Sequence, residues 1–209
     1  MKADLVITVT QPFVESLSSR GIRGIEIIPN GANVKTFKPY NKAEMRRKLG
    51  FSDEFILVYS GFIGTYHRLD VVIEAFSKFV KEVPKAKLII LGKGPALSEI
   101  MTIIDRLGLK RNVIYLGVKE EKEELARVLS AADVGVIPYD DNPLWKNALP
   151  AKFFEYCACG LPVIATVYED SVLANFIKKN RIGLTSKPMD VESLYYAFKK
   201  IYEDRDSLM

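Results

Sequence analysis

The chain has 209 residues, enough for one α/β domain with a real core, and 48% of them are hydrophobic, an ordinary share for a globular protein. Thirty basic against twenty-six acidic side chains leave a net charge of +4 with mixed signs. That balance compels no nucleic-acid partner and is compatible with a mildly basic anion cleft.

Residues 5–10 read as a buried strand, followed by a helix over 12–20 that Gly21 closes and a short strand over 25–28. Pro29-Asn30-Gly31 is a turn, and residues 42–49 form a short helix ended by Gly50. Residues 55–59 are a strand with 60–65 as its exit loop. Leu69, Val72, Ile73, Phe76, Phe79 and Val80 then recur at helical spacing within a helix predicted over 67–80. The alternation continues with strands over 87–91, 112–116, 133–138, 163–166 and 183–185. Helices are expected over 96–107, 119–131, 151–159, 170–178 and 191–202. Strands alternating with helices predict a Rossmann-like, doubly wound α/β fold around a parallel sheet, with ligands outside the carboxyl ends of the strands.

The stretch over 142–166 organises the rest. Pro150 suits the first turn of a helix, Gly160 ends it, and Pro162 keeps it ended. Lys152 then lies in the first turn, with Glu155 one turn on and nearly on the same face. A helix start at a sheet edge attracts anions, Lys152 adds a full charge there, and Glu155 offers an acceptor to a hydroxyl pair. The plainer alternative is a Lys–Glu pair on a solvated helix face.

Gly61 and Gly64 bracket a strand-to-helix turn that could bring backbone N–H groups to a phosphate, with His67 and Arg68 following; a plain βα turn is the alternative. Gly92 and Gly94 give a second such turn. His67 is the only histidine, so a catalytic dyad would need a carboxylate to orient it, and a structural role is the simpler reading. Trp145 either caps its own loop or walls a pocket mouth. Cys157 and Cys159 would point in different directions on one short helix, which argues against a disulfide or a metal site and for a reducing, cytoplasmic compartment. No leader peptide is visible and no apolar run approaches membrane-spanning length, which leaves contact with a membrane surface open.

Taken together, these motifs resemble the nucleotide-sugar-binding half of a GT-B glycosyltransferase of the retaining family 4 type. Residues 3–9 resemble the last strand of that family's first domain, and 27–32 with 37–39 its interdomain signature. Residues 150–156 with 159–164 resemble its donor-site signature. The loop from Gly61 to Gly64 and the Pro-Ala-Lys segment look most like the branch that builds O-antigen and other surface polysaccharides.

The resemblance implies a remnant of the first domain over 1–40 and a donor-binding domain over 41–209. It implies sugar transfer from a nucleoside diphosphate sugar, a uridine diphosphate donor by family weight, to an acceptor hydroxyl with retained configuration, and without a metal or other cofactor. Glu155 matches the ribose-binding glutamate; Lys152, the Gly61–Gly64 loop and Arg68 would hold the diphosphate, and the turn around Val118 would approach the base. The acceptor would bring the protein to the inner face of the cell membrane.

Three departures qualify the match. Asn147 stands where the family often has a glutamate facing the donor sugar, so that carboxylate role is lost or moves to Asp140 or Asp141. Phe62 and His67 stand where it has Arg and Lys. The acceptor domain and the closing helices after Met209 are expected to lie elsewhere, so the chain alone should bind donor without efficient transfer. Its strand over 5–9 is expected to be an orphan edge that could pair two copies. The alternatives are an epimerase-like GT-B enzyme, which one histidine disfavours, and a non-catalytic nucleotide-binding subunit. A receiver domain would need an acidic cluster after an early strand, which Ser60-Gly61 does not supply.

Overall fold

The computed structural model describes residues 3–205. Residues 1–2 and 206–209, including the expected cut before further helices at Met209, lie outside the described residues. In chain order the elements are β1 (Val6–Thr8), α1 (Gln11–Ser18), β2 (Ile25–Ile27), α2 (Lys42–Leu49), β3 (Ile56–Ser60), α3 (Leu69–Glu82), β4 (Lys87–Leu91) and α4 (Leu97–Arg106). They continue as β5 (Val113–Tyr115), α5 (Lys122–Ala131), β6 (Val134–Ile137), α6 (Ala151–Ala158), β7 (Val163–Thr166), α7 (Val172–Asn180), β8 (Gly183–Ser186) and α8 (Val191–Glu203). Short 3-10 turns at Thr65–His67 and Pro143–Asn147 precede α3 and α6.

Six strands form one parallel sheet in the order β5-β4-β3-β6-β7-β8. The chain winds outward from β3 to β5, then restarts at β6 on the other side of β3. The crevice between β3 and β6 is therefore the switch point where ligands bind in such sheets. Successive strand residues face opposite layers: Leu57 and Tyr59 join the core under α3, α4 and α8, while Ile56 and Val58 join the core under α5, α6 and α7. Both faces are covered, so β3 and β6 are buried throughout, as their near-continuous apolar runs require.

Local chemistry sets most boundaries. Asn41 accepts the Glu44 N–H at the start of α2, and Gly50 closes it in the left-handed region at φ 80°. The helix expected from His67 starts instead at Leu69, because Arg68 adopts a left-handed φ of 39° and isolates the Thr65–His67 turn. Residues 119–121 lie outside α5, since Glu121 is extended at its start. α7 begins two residues later than expected, where Ser171 accepts the Ala174 N–H.

The strand expected over 5–10 shrinks to β1, and it is not an orphan: it pairs in parallel with β2, with α1 as the crossover. This small unit is a separate two-stranded sheet whose Leu5, Ile7, Ile27 and Ile28 are exposed. Among the described residues, no helix is long and apolar enough to cross a membrane.

Candidate functional site

α6 is seated by Tyr156. Its ring lies over Gly135 on β6, where a Cβ would come within 2.3 Å of it, and its buried hydroxyl accepts the Ser60 N–H at 2.8 Å. The start of α6 is thereby fixed beside the end of β3. Pro150, the residue capping α6, has no side chain that can bond the first amides of the helix.

Into this corner runs Lys152. Its Nζ is buried, has no hydrogen-bond partner and stands 4.3 Å from the centre of the Tyr59 ring. A Cβ on Gly61 would lie 2.8 Å from that Nζ, so the glycine leaves the ammonium room against the loop after β3. Burial pushes the Lys152 pKa down to about 7, with Glu155 pulling weakly the other way. Glu155 is half-buried; desolvation raises its pKa, and Lys122 sits 3.9 Å away.

Gly61, Gly92, Val118, Lys119 and Lys122 line a cleft of 230 Å³ at the carboxyl ends of β3, β4 and β5. Val118 is 40% exposed on its wall. The structure thus brings Lys152, Gly61, Gly92, Val118 and, through Lys122, Glu155 into one neighbourhood. Gly92 and Gly94 have a further reason to be glycine. A Cβ on Gly92 would come within 1.8 Å of the Gly61 carbonyl, and one on Gly94 within 2.2 Å of the Ile63 carbonyl, so the two strand-end loops pack backbone to backbone.

Other expected site residues bond to their own surroundings, Asp141 and Asn147 through their backbone carbonyls. Arg68 donates to the Asp70 carboxylate at 2.9 Å, on the wall of a second cleft of 350 Å³ shared with Gly64, Glu99 and Asp140. The Asp140 carboxylate accepts the Trp145 indole N–H, and Trp145 stacks on Tyr139 with ring centres 4.3 Å apart, the loop-capping role. The Asp141 carbonyl accepts the Tyr168 hydroxyl, and the Asn147 carbonyl accepts the Thr10 hydroxyl. His67 is buried among Tyr59, Phe62, Tyr66 and Tyr139, its Nδ1 has no partner, and burial followed by the Lys152 charge pushes its pKa down to about 4. It is a neutral wall of the site at physiological pH.

Tyr59 and Lys122 were not singled out by sequence reasoning. Tyr59 is fully buried and donates its hydroxyl to the Phe62 carbonyl at 2.6 Å, which shapes the glycine loop while its ring faces Lys152. Its one sequence signal was its place directly before Ser60-Gly61.

Residues 41–209 match the model of the family described as glycosyl transferases group 1. A D-inositol 3-phosphate glycosyltransferase of Segniliparus rotundus is 30% identical over 146 residues, covering 68% of this chain and 31% of that protein. Anabaena Alr3699/HepE, solved in complex with UDP, superposes with a TM-score of 0.76 at 20% identity, over 97% of this chain and 55% of that one. WaaG, a glycosyltransferase involved in lipopolysaccharide biosynthesis, gives 0.79 at 19% identity, over 97% and 54%. The chain therefore spans about a third of the first curated relative and about half of each of these solved structures. These likenesses share the Rossmann-like GT-B half described above, and with the family match over most of its length the chain belongs to the glycosyl transferases group 1 family.

Proposed function

We propose that this chain binds the nucleoside diphosphate of a sugar donor at the carboxyl ends of β3, β4 and β5. It would serve as the donor half of a retaining glycosyltransferase acting in surface-polysaccharide or glycoconjugate synthesis. The observation that carries the reading is Lys152: a buried, unpartnered ammonium at an uncapped helix start, held against a glycine loop. Such a charge is retained against its desolvation when an anion completes it. Family membership and a UDP complex of a structural neighbour support the same ligand class.

In this reading the diphosphate lies across Gly61 toward Lys152 and the first amides of α6. The ribose meets Glu155, and the base enters the cleft beside Val118. The leaving diphosphate is stabilised by these groups without a metal. The bond between the anomeric carbon and the phosphate oxygen breaks, the acceptor hydroxyl oxygen takes its place on the same face, and the hydroxyl proton passes to the departing diphosphate oxygen. Residues 1–40 are proposed to belong to an acceptor-binding domain, and transfer to require that domain; the acceptor would place the protein at the inner face of the cell membrane.

Calorimetric titration of this chain with UDP, GDP and ADP tests the reading. One nucleotide, UDP by expectation, should bind and the others bind more weakly. Absence of heat for all three at millimolar concentration would refute binding by this chain.

A further inference from the structure

Two side chains of the β1-α1-β2 unit reach the main domain, and both end on one short segment. The Thr10 hydroxyl donates to the Asn147 carbonyl at 2.8 Å, and the Asn30 side-chain amide donates to the Leu149 carbonyl at 2.9 Å. Thr10 occupies the capping position of α1, where its oxygen would ordinarily accept an N–H of the first turn. It makes no capping bond there and is 6% exposed. Asn30 follows β2 in the loop toward α2, which forms no turn at the Pro29-Asn30-Gly31 stretch expected to make one, and an Asn side chain in a loop ordinarily bonds its own backbone. Both residues thus forgo a local bond for one across the fold.

Leu149 anchors the segment they hold in the core, but its backbone has few other hydrogen bonds. It lies between the Pro143–Asn147 turn and α6, Pro150 has no N–H, and the Ala148 N–H turns back to Trp145. Pro150 then leads into the first turn of α6, which carries Lys152. We propose that Thr10 and Asn30 are positioning residues: by clamping the 147–149 carbonyls they set the entry of α6 and so the aim of Lys152 at the Gly61 loop. Any movement of the β1-α1-β2 unit against the main domain would then be felt at the donor site. This inference rests on the donor-site reading above, and it deepens it.

The single tryptophan sits in the clamped turn and reports the clamp without any ligand. The experiment compares the parent chain with Thr10→Val, Thr10→Ser and Asn30→Asp. Two signals are read: acrylamide quenching of Trp145, and UDP affinity by calorimetry. Thr10→Val keeps shape and loses the donor; Asn30→Asp does the same in a half-buried loop, and thermal melts verify that both variants fold.

Both should raise Trp145 quenching and weaken UDP by about three- to tenfold, the net worth of one hydrogen bond. Thr10→Ser should restore parental values. Combined with Lys152→Met, Thr10→Val should add nothing to the loss, because the two act through one group. Unchanged quenching and affinity in both donor-less variants would overturn the proposal, as would full additivity with Lys152→Met. If the parent chain binds no UDP, the donor reading fails by itself. The clamp is then judged on quenching alone, and unchanged quenching overturns it.

Discussion

The two ends of the parallel sheet carry cavities of opposite character. At the amino end a cavity of 700 Å³ lies among α2, α8 and the starts of β3, β6 and β7. Its cations are saturated. Lys42 and Arg46 each bind an Asp133 oxygen at 2.6 Å, Arg46 also donates to the Ala131 carbonyl, and Asp133 accepts the Ile56 N–H. At the carboxyl end the cleft beside Gly61 measures 230 Å³, yet next to it a buried ammonium and a buried imidazole nitrogen have no partner. Volume points to one end and unsatisfied charge to the other. Charge is the better guide, because a closed ionic network holds a fold together, whereas an open one marks a candidate site for a counter-ion.

The sharpest way to break this comparison is at its saturated end. Asp133→Ala removes the acceptor shared by Lys42, Arg46 and the Ile56 amide, stranding two charges and the start of β3. It should cost about 3 kcal/mol of stability, which for a chain of this size lowers Tm by roughly 6–12 °C. UDP affinity measured well below the melt should not change. A large loss of affinity with an intact fold would show that the amino-end network also serves the ligand.

Lys152→Met makes the opposite prediction. The charge-assisted contact to the diphosphate is lost, weakening UDP by about 2 kcal/mol, or roughly thirtyfold. Tm should rise by a few degrees, since an apolar side chain of similar length no longer leaves an uncompensated buried charge. Weaker binding together with higher stability, read by calorimetry and thermal melts, is the signature of a residue kept for its ligand.

The same lysine gives the site a pH dependence. Burial holds its pKa near 7 in the free protein, and a bound anion favours its charged form, so binding above that pH must take up a proton. UDP affinity should therefore fall as pH rises from about 7 to 9, by up to tenfold per unit, about 1.4 kcal/mol. His67, held down to about 4, stays neutral over this range and adds nothing, and the Glu155 charge opposes the Lys152 shift without overcoming burial. Lys152→Met should flatten the profile. In the free chain the sign reverses: between the folded and unfolded pKa values the unfolded state holds the extra proton, so stability rises with pH.

Much of the fold was legible in the sequence, and the reasons the rest was not are physical. The Gly50 stop of α2, and the apolar runs of β4 and β7, set the bounds that the sequence predicts for those elements, because local chemistry decides them. Alternation of strands and helices predicted the parallel sheet, and the switch point followed. The pairing of β1 with β2, apart from the main sheet, left no trace in periodicity, since strands of three residues carry too little pattern. The side chains' commitments were equally hidden. Arg68 is expected at a phosphate, and the structure pairs its guanidinium with Asp70; Lys152 is expected at an anion or, more plainly, on a solvated helix face, and the structure instead buries its head against the Tyr59 ring and the Gly61 loop. Which cation is spent on a neighbour and which is left open is decided by contacts far apart in sequence.

The smallest effect is expected at Glu155, and it tests the part of the site furthest from the ammonium. Its carboxyl is raised by desolvation, with Lys122 at 3.9 Å and Lys152 as the counter-charges. A half-buried carboxylate with only a distant ion pair has lone pairs to offer, and a ribose diol supplies two hydroxyl donors to a single acceptor group. Glu155→Gln keeps the shape but places an NH₂ where one hydroxyl donates, so UDP should weaken by about 1 kcal/mol. Discrimination against 2′-deoxy-UDP should fall by a similar factor, because the parent loses a bond to that sugar and the variant has little left to lose. If Glu155→Gln weakens UDP and 2′-deoxy-UDP equally, the carboxylate acts only through the electrostatics of Lys152. The ribose would then have to be held by another polar group on the cleft wall, among them Ser60, Lys93, Lys119 and Lys122.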